Sequence, residues 1–326
     1  MSKKRGGFGR ASRVASTEHH LDTRLSALAD GWPATLGAQF SEYRRALKSG
    51  TGPSIAIWGG SCDGPYWIEL PEWVARDESV ATPGGLQRLI RDMVWGQVCL
   101  FYAVRIEDDI FDGQLSRTSL ALAPTLLMNE SLRVFSSHFD RRSAFWEFYG
   151  KAIDSTLEGI LGASELQRDP MAPAELLLQT YARVDSIFSI GSAGVCEKLG
   201  TGSIVPALCL FVGEIGKVAQ VIDDFEDLDE DLADGRFNYV AKVLLDKSGS
   251  SMRDPGLLTK NLNTETQGAA MKDISARLHA CLDVAGRAAG ALELPAALDL
   301  IESYRGTIRQ LSFTWVDSCR GIFGPR

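Results

Sequence analysis

Histidine is scarce in this chain, and cysteine never comes in the close pairs that bind metal or carry redox chemistry. The four histidines are an adjacent pair, His19 and His20, and the isolated His138 and His279, a spacing that does not suit zinc. The six cysteines (Cys62, Cys99, Cys196, Cys209, Cys281, Cys319) include no Cys-x-x-Cys, and several sit in apolar helix-like runs. They read as reduced core thiols, which points to a cytoplasmic protein. Only 12 prolines and few alternating β-branched runs argue against an all-β fold. The longest apolar run, Ile204 to Gly213, is too short to span a bilayer and leads into Glu214 and Lys217. With no secretory apolar core either, no stable membrane insertion is expected. Positive charge is also lacking: the net charge of −8 excludes a general affinity for nucleic acid.

What is present is ordinary in bulk and unusual in pattern. At 326 residues, 45% hydrophobic and 23% charged, the chain can bury a sizeable core. Residues 1–17 carry Lys3, Lys4, Arg5, Arg10 and Arg13 and no acid, so residues 1–20 are expected to form a disordered basic tail. Helical periodicity runs from Leu21 to Leu47 and is interrupted at Trp32-Pro33. Residues 58–75 gather Trp58, Tyr66, Trp67 and Trp73 among Gly and Pro, which predicts an irregular segment pinned by aromatics. Further helices are expected over about 86–112, 120–138, 141–163, 173–199, 204–232, 265–290 and 294–318. No repeat and no dividing linker appears. Residues 21–326 are therefore expected to be one all-α domain, a single-domain helical bundle.

Two acidic clusters organise this bundle. Asp108-Asp109-Ile110-Phe111-Asp112 ends one apolar helix-like run, and Asp223-Asp224-Phe225-Glu226-Asp227 ends another. In a helix, residues three and four apart share a face, so each cluster gathers three carboxylates that repel unless cations sit among them. Acid in a last helical turn also opposes the helix dipole, so two such ends are an unfavourable accident or a site. Carboxylates without His or Cys suit Mg²⁺, which prefers a few carboxylates shared with substrate phosphates. Two Asp-rich helix ends facing across a bundle cavity could hold several Mg²⁺ ions against a diphosphate. A carbocation left by departing pyrophosphate would need apolar, aromatic, water-free surroundings, for which seven Trp and 14 Phe are available. Asp229, Glu230, Asp231 and Asp234 read as a solvated, charge-rich continuation.

The order of these pieces resembles the trans-isoprenyl diphosphate synthases. The pair Asp108-Asp109-x-x-Asp112 and Gln220-x-x-Asp223-Asp224-x-x-Asp227 is similar to that family's two aspartate-rich motifs. Gly84-Gly85 with Arg88 is similar to its Gly-Gly-Lys-Arg opening, and Arg117 to the first arginine after the first motif. Tyr181-Ala-Arg183-Val-Asp-Ser-Ile-Phe188 resembles its Lys-Thr-x-x-Leu-Phe helix, and Asp231-Leu-Ala-Asp-Gly235-Arg236-Phe-Asn-Tyr239 its Asp-Leu-x-x-Gly-Lys-x-Thr-Tyr segment. The resemblance implies an isoprenoid-synthase helical bundle with a central apolar cavity, acting on a prenyl diphosphate and working as a homodimer. It also implies three Mg²⁺ ions held by Asp108, Asp109, Asp112, Asp223, Asp224 and Asp227, with Asp108, Asp109 and Asp224 catalytic. Arg117, Arg183, Gln220 and Arg236 would bind the diphosphate, and Ala103, Val104, Phe101 and Trp95 would line the cavity.

The departures from that family carry as much weight. Chain-elongating members hold a second, metal-free diphosphate through a lysine and a second arginine, where this chain has Leu86 and Thr118. Charge-assisted hydrogen bonds are the strong ones, so losing both should weaken that second site. The allylic site is intact while the second is eroded. The branch most resembled is therefore that of terpene synthases, which ionise one C15 or C20 prenyl diphosphate and let the cation cyclise or be quenched. A chain-elongating or acceptor-alkylating prenyltransferase using Arg88 and Arg91 is the alternative, and a non-catalytic partner subunit a third reading. Replacing Asp109 or Asp224 is expected to abolish turnover and, by relieving repulsion, to leave stability unchanged or slightly raised.

Overall fold

A computed structural model describes residues 7–49, 66–75, 83–111, 113–115, 118–248 and 264–322. Its helices are α1 (Gly7–Asp30), α2 (Ala34–Ser49), α3 (Tyr66–Val74), α4 (Pro83–Phe111), α5 (Ala123–Ser136), α6 (Ala144–Arg168) and α7 (Ala174–Val184). They continue with α8 (Ile190–Leu199), α9 (Val205–Glu226), α10 (Leu228–Ala233), α11 (Tyr239–Ser248), α12 (Thr264–Ala291) and α13 (Pro295–Ile322). No strand occurs among the described residues, as the sequence predicts. The chain divides into two compact units, Met1–Tyr149 with Ile190–Gly202, and Gly150–Ser189 with Ser203–Arg326.

In the first unit α4 is the central helix, packed against α3, α5 and α8, while α1 pairs with α2. Its Met93, Val98, Cys99, Tyr102, Ala103 and Ile106 are wholly buried. Gln97, also wholly buried, closes two backbone gaps that the neighbouring helices leave open. Pro71 has no N–H, so within α3 the carbonyl of Trp67 has no helical donor at the fourth residue on. Gln97 Nε2 donates to that carbonyl at 3.1 Å. Its Oε1 accepts the N–H of Gly191, an unpaired donor in the first turn of α8, at 2.6 Å. Gly191 is needed for this approach, because a Cβ there would lie 2.9 Å from the same oxygen.

In the second unit α9 is the central helix, against α7, α11 and α12. With the 3-10 turn before it, α9 spans 25 residues and contains an 18-residue stretch of mean hydropathy 1.6, long and apolar enough by length and composition to cross a membrane, though half of that stretch is buried within the protein. The sequence reading stopped this apolar run at Gly213. Beyond it the helix carries Glu214 and Lys217, three residues apart, which pair at 2.6 Å.

Four expectations differ from the structure. Helix α1 begins at Gly7, so most of the segment expected as a disordered tail of residues 1–20 is helical. No proline interrupts residues 7–30, Ala and Arg are good helix formers, and buried Leu21, Leu25 and Ala29 anchor the later turns. The aromatic segment from Tyr66 is helix α3, with Trp67 and Trp73 buried, while Trp58 lies outside the described residues. The helix expected over 173–199 breaks into α7 and α8 at a 3-10 turn, Asp185–Ser189. There Thr156 Oγ1 accepts the N–H of Ile187 at 3.1 Å, and Ser189 Oγ donates to the Ser186 carbonyl at 2.6 Å. Hydroxyl side chains thus offer the backbone an alternative to the helical ladder. Finally, the helix expected over 204–232 ends at Glu226, and Asp227 separates it from α10.

Candidate functional site

The first acidic cluster occupies the last turn of α4. That helix is closed by Gly113 in the left-handed conformation (φ 74°). The N–H of Gln114 then reaches back to the carbonyl of Asp109 at 2.9 Å, satisfying one of the end carbonyls. The two described aspartates of this cluster have opposite surroundings. Asp109 is wholly buried, with Tyr43 of α2 donating its hydroxyl to Oδ2 at 2.6 Å and Arg105 Nη2 2.7 Å from Oδ1. Burial and the Asp109 carboxylate push the Tyr43 hydroxyl far above the ordinary phenol range, so it stays a proton donor. Asp108, by contrast, keeps 28% of its side chain exposed, with Arg105 at 3.8 Å. Asp112 and Arg117 lie outside the described residues.

The second cluster repeats this division. Asp224, in the last turn of α9, is buried and accepts the Tyr181 hydroxyl on both oxygens, at 3.1 and 2.9 Å. It also accepts the backbone N–H of Tyr239 at 2.9 Å. Burial holds its carboxyl well above the usual range, against the pull of the Tyr181 bond. Gln167 of α6 donates to the Tyr181 hydroxyl at 3.2 Å and so holds the ring in place. Asp223 and Asp227 are half-exposed, like Asp108.

Behind the second cluster lies an acid that the sequence reading placed in solvent. Asp231 is buried, with Arg236 Nη2 2.8 Å from Oδ1 and Asn238 Nδ2 donating to Oδ2 at 2.8 Å. Asp229, Glu230 and Asp234 are exposed, as expected of a solvated continuation. Asn238 also donates to the Asp224 carbonyl at 2.9 Å and accepts the N–H of Ala241 at 3.0 Å. Gly235 (φ 74°) turns the chain after α10, and the N–H of Arg236 reaches the Asp231 carbonyl at 2.7 Å, the same closure as at Gly113.

Of the residues expected to bind diphosphate, Gln220 is half-exposed one turn before Asp223 and Asp224. Arg236 is paired with Asp231 and, at 3.3 Å, Asp234. Arg183 is exposed, 3.4 Å from Glu158 of α6. Of the expected cavity residues, Ala103 is wholly buried and Val104 half-buried. Phe101 packs on Trp67 and Tyr102 at centroid distances of 5.4 and 5.2 Å. Trp95 donates its indole N–H to Glu130 of α5 at 2.7 Å, and the Arg24 guanidinium covers its ring at 4.2 Å.

Sequence reasoning missed Tyr43, Asp185 and Asn238. Asp185 is buried in the 3-10 turn between α7 and α8. Burial first, then the nearby Asp223, push its carboxyl up to about 7, against the pull of Gln220. Asp185 and Asn238 stand inside segments that the family resemblance already marks. Nothing in the sequence signals Tyr43.

All of these donors are hard oxygen, the set Mg²⁺ prefers. Among the described residues no three acidic, histidine or cysteine side chains converge into a ready cage. Half-exposed single carboxylates beside immobilised neighbours fit an ion that keeps waters and takes its remaining ligands from a substrate.

Comparison with known proteins adds the fold. No family model and no curated relative matches this sequence. The structure is similar to a decaprenyl diphosphate synthase from Rhodobacter capsulatus, with TM-score 0.60 and 15% identity over 95% of this chain and 98% of that one. It is equally similar to a polyprenyl synthase from Roseobacter denitrificans, with TM-score 0.60 and 15% identity over 95% and 97%. At that identity the likeness establishes the fold class, the all-α isoprenoid-synthase fold, and nothing finer.

Proposed function

We propose that this chain is a Mg²⁺-dependent class I terpene synthase that ionises a C15 or C20 prenyl diphosphate and cyclises or quenches the resulting cation. The observation that carries the reading is the shared construction of the two acidic clusters. In each, the second aspartate is buried and fixed by a tyrosine hydroxyl, while a neighbouring aspartate stays half-exposed. Asp108 and Asp112 of the first cluster and Asp223 and Asp227 of the second would hold Mg²⁺, with Asp109 and Asp224 fixing the last turns of their helices. The metal, when bound, supplies Lewis-acid stabilisation of departing pyrophosphate. Gln220, Arg117, Arg183 and Arg236 would orient the diphosphate, and the apolar residues of α4 would keep water from the cation.

A single-substrate reaction is favoured over chain elongation by the uncharged residues at the second diphosphate site. Leu86 and Thr118 stand at its cationic positions, and Arg88 is itself 3.7 Å from Asp92. The fold neighbours are a decaprenyl diphosphate synthase and a polyprenyl synthase, which supports prenyl diphosphate chemistry and makes a chain-elongating prenyltransferase the second reading. Incubation with farnesyl or geranylgeranyl diphosphate and Mg²⁺ should release a hydrocarbon or alcohol plus pyrophosphate. Product that forms only with added isopentenyl diphosphate, and is a longer diphosphate, would establish the second reading instead.

A further inference from the structure

Arg105 reaches both described acids of the first cluster and has no part in the proposed reaction. Asp109 follows it by four residues on α4, with Arg105 Nη2 2.7 Å from Oδ1. Asp108 follows it by three, with Nη1 3.8 Å from Oδ2. The two contacts differ in kind. The first is a close pair with a wholly buried carboxylate, the second a loose approach to a half-exposed one.

Two constraints keep the guanidinium there. Tyr43 donates its hydroxyl to the other oxygen of Asp109 at 2.6 Å, so the acid that anchors Arg105 is itself fixed. Withdrawal of Arg105 would also strand that buried carboxylate, which is strongly destabilising. The Arg105 side chain is itself largely buried, where salt screens a charge little. A cation taken up by Asp108 therefore arrives beside a positive charge that stays in place. A diphosphate brings negative charge of its own, so the repulsion is greatest when metal binds alone.

We infer that Arg105 is a resident cation of the first acidic cluster and lowers the affinity of Asp108 for Mg²⁺ by like-charge repulsion. The inference rests on the metal reading proposed above and adds to it a residue that sets how tightly the ion is held.

The test counts free Mn²⁺ by its paramagnetic resonance, Mn²⁺ being an oxygen-seeking stand-in for Mg²⁺. The parent is the full chain carrying Asp223→Asn and Asp227→Asn, which leaves the first cluster as the site to be read. Arg105→Gln in that parent should tighten Mn²⁺ binding by about 10-fold, a usual size for coupling between two sites. A purely structural defect would weaken binding instead. Arg105→Lys should stay within about 2-fold of the parent, because its ammonium keeps the charge. If Arg105→Gln does not fold, Asp109→Asn is compared with Asp109→Asn/Arg105→Gln, since a buried pair replaced on both sides is often tolerated. Unchanged affinity in Arg105→Gln, or equal tightening by Arg105→Gln and Arg105→Lys, would overturn the role of Arg105 while leaving the metal reading in place. If neither the parent nor Arg105→Gln binds Mn²⁺, or if binding survives Asp108→Asn undiminished, both are overturned.

Discussion

The hydroxyl of Tyr181 donates to the carboxylate of Asp224 at 2.9 Å, and 115 positions earlier in the second-aspartate series the hydroxyl of Tyr43 does the same for Asp109 at 2.6 Å. Each bond is buried, and each fixes the second aspartate of an Asp-Asp pair. The pairs are therefore asymmetric: one carboxyl is buried in the fold and its neighbour is half-exposed.

Stability should separate the two kinds of aspartate. Asp109→Ala leaves the buried Tyr43 hydroxyl without its acceptor and Arg105 without its closest acid, a loss of about 3–5 kcal/mol. Asp108→Asn and Asp223→Asn remove half-exposed charge from acidic clusters and should leave the thermal midpoint unchanged or slightly raised. Turnover of a prenyl diphosphate should fall by about 100-fold or more in these two variants. Thermal melts alongside a pyrophosphate-release assay check both halves. Equal melting of all three variants would refute the division. The sequence alone predicts relief of repulsion at Asp109 and Asp224 as well, because it shows the charges and not the hydroxyls that meet them.

Tyr181→Phe keeps the ring and deletes only the donor. Asp224 retains the Tyr239 N–H but loses its bond on the other side, which should cost about 1–3 kcal/mol. In urea the midpoint should drop with the slope unchanged, since no extra surface is exposed. Because the same bond pulls the Asp224 carboxyl down, its loss should also drive that group further toward the neutral form.

Much of this was legible beforehand, and the missing parts share a cause. Helices announce themselves by period, so α2, α4, α9, α12 and α13 fall close to where apolar spacing puts them. The acidic clusters are visible because like charges at helical spacing demand an explanation. Asp231 was misplaced because its neighbours Asp229, Glu230 and Asp234 do face solvent. Only the turn at Gly235, which brings Arg236 and Asn238 back onto it, distinguishes it. Asp185 was hidden for a similar reason, since its burial depends on a glycine 31 positions away in the chain. Tyr43 lies 66 positions from Asp109, beyond anything local pattern can show.

The proposed selectivity for one substrate should be reversible at two positions. Leu86 is half-buried in the first turns of α4, where a lysine can reach solvent with its ammonium. Leu86→Lys combined with Thr118→Arg should create measurable isopentenyl diphosphate binding, detected by titration without allylic substrate. No binding by the double variant would count against the eroded second site as the reason for single-substrate chemistry.

Asp185 also makes a prediction about pH. Its carboxyl is raised from the usual 3.8 to about 7 in the folded chain. The folded state therefore binds more protons than the unfolded one between about pH 4 and 7, and stability from this group is lost as pH rises through that window. Asp185→Asn has no proton to lose. In metal-free buffer the variant and the wild type should unfold at similar urea concentrations near pH 4. The variant should then gain steadily up to about pH 7 and level off, by an amount on the order of 4 kcal/mol. Asp224 and Asp231, whose carboxyls are also raised, give the wild type a slope of the same sign. Since both proteins carry them, the difference between the two curves isolates Asp185. A constant difference across pH 4 to 8 would show that this carboxyl titrates normally.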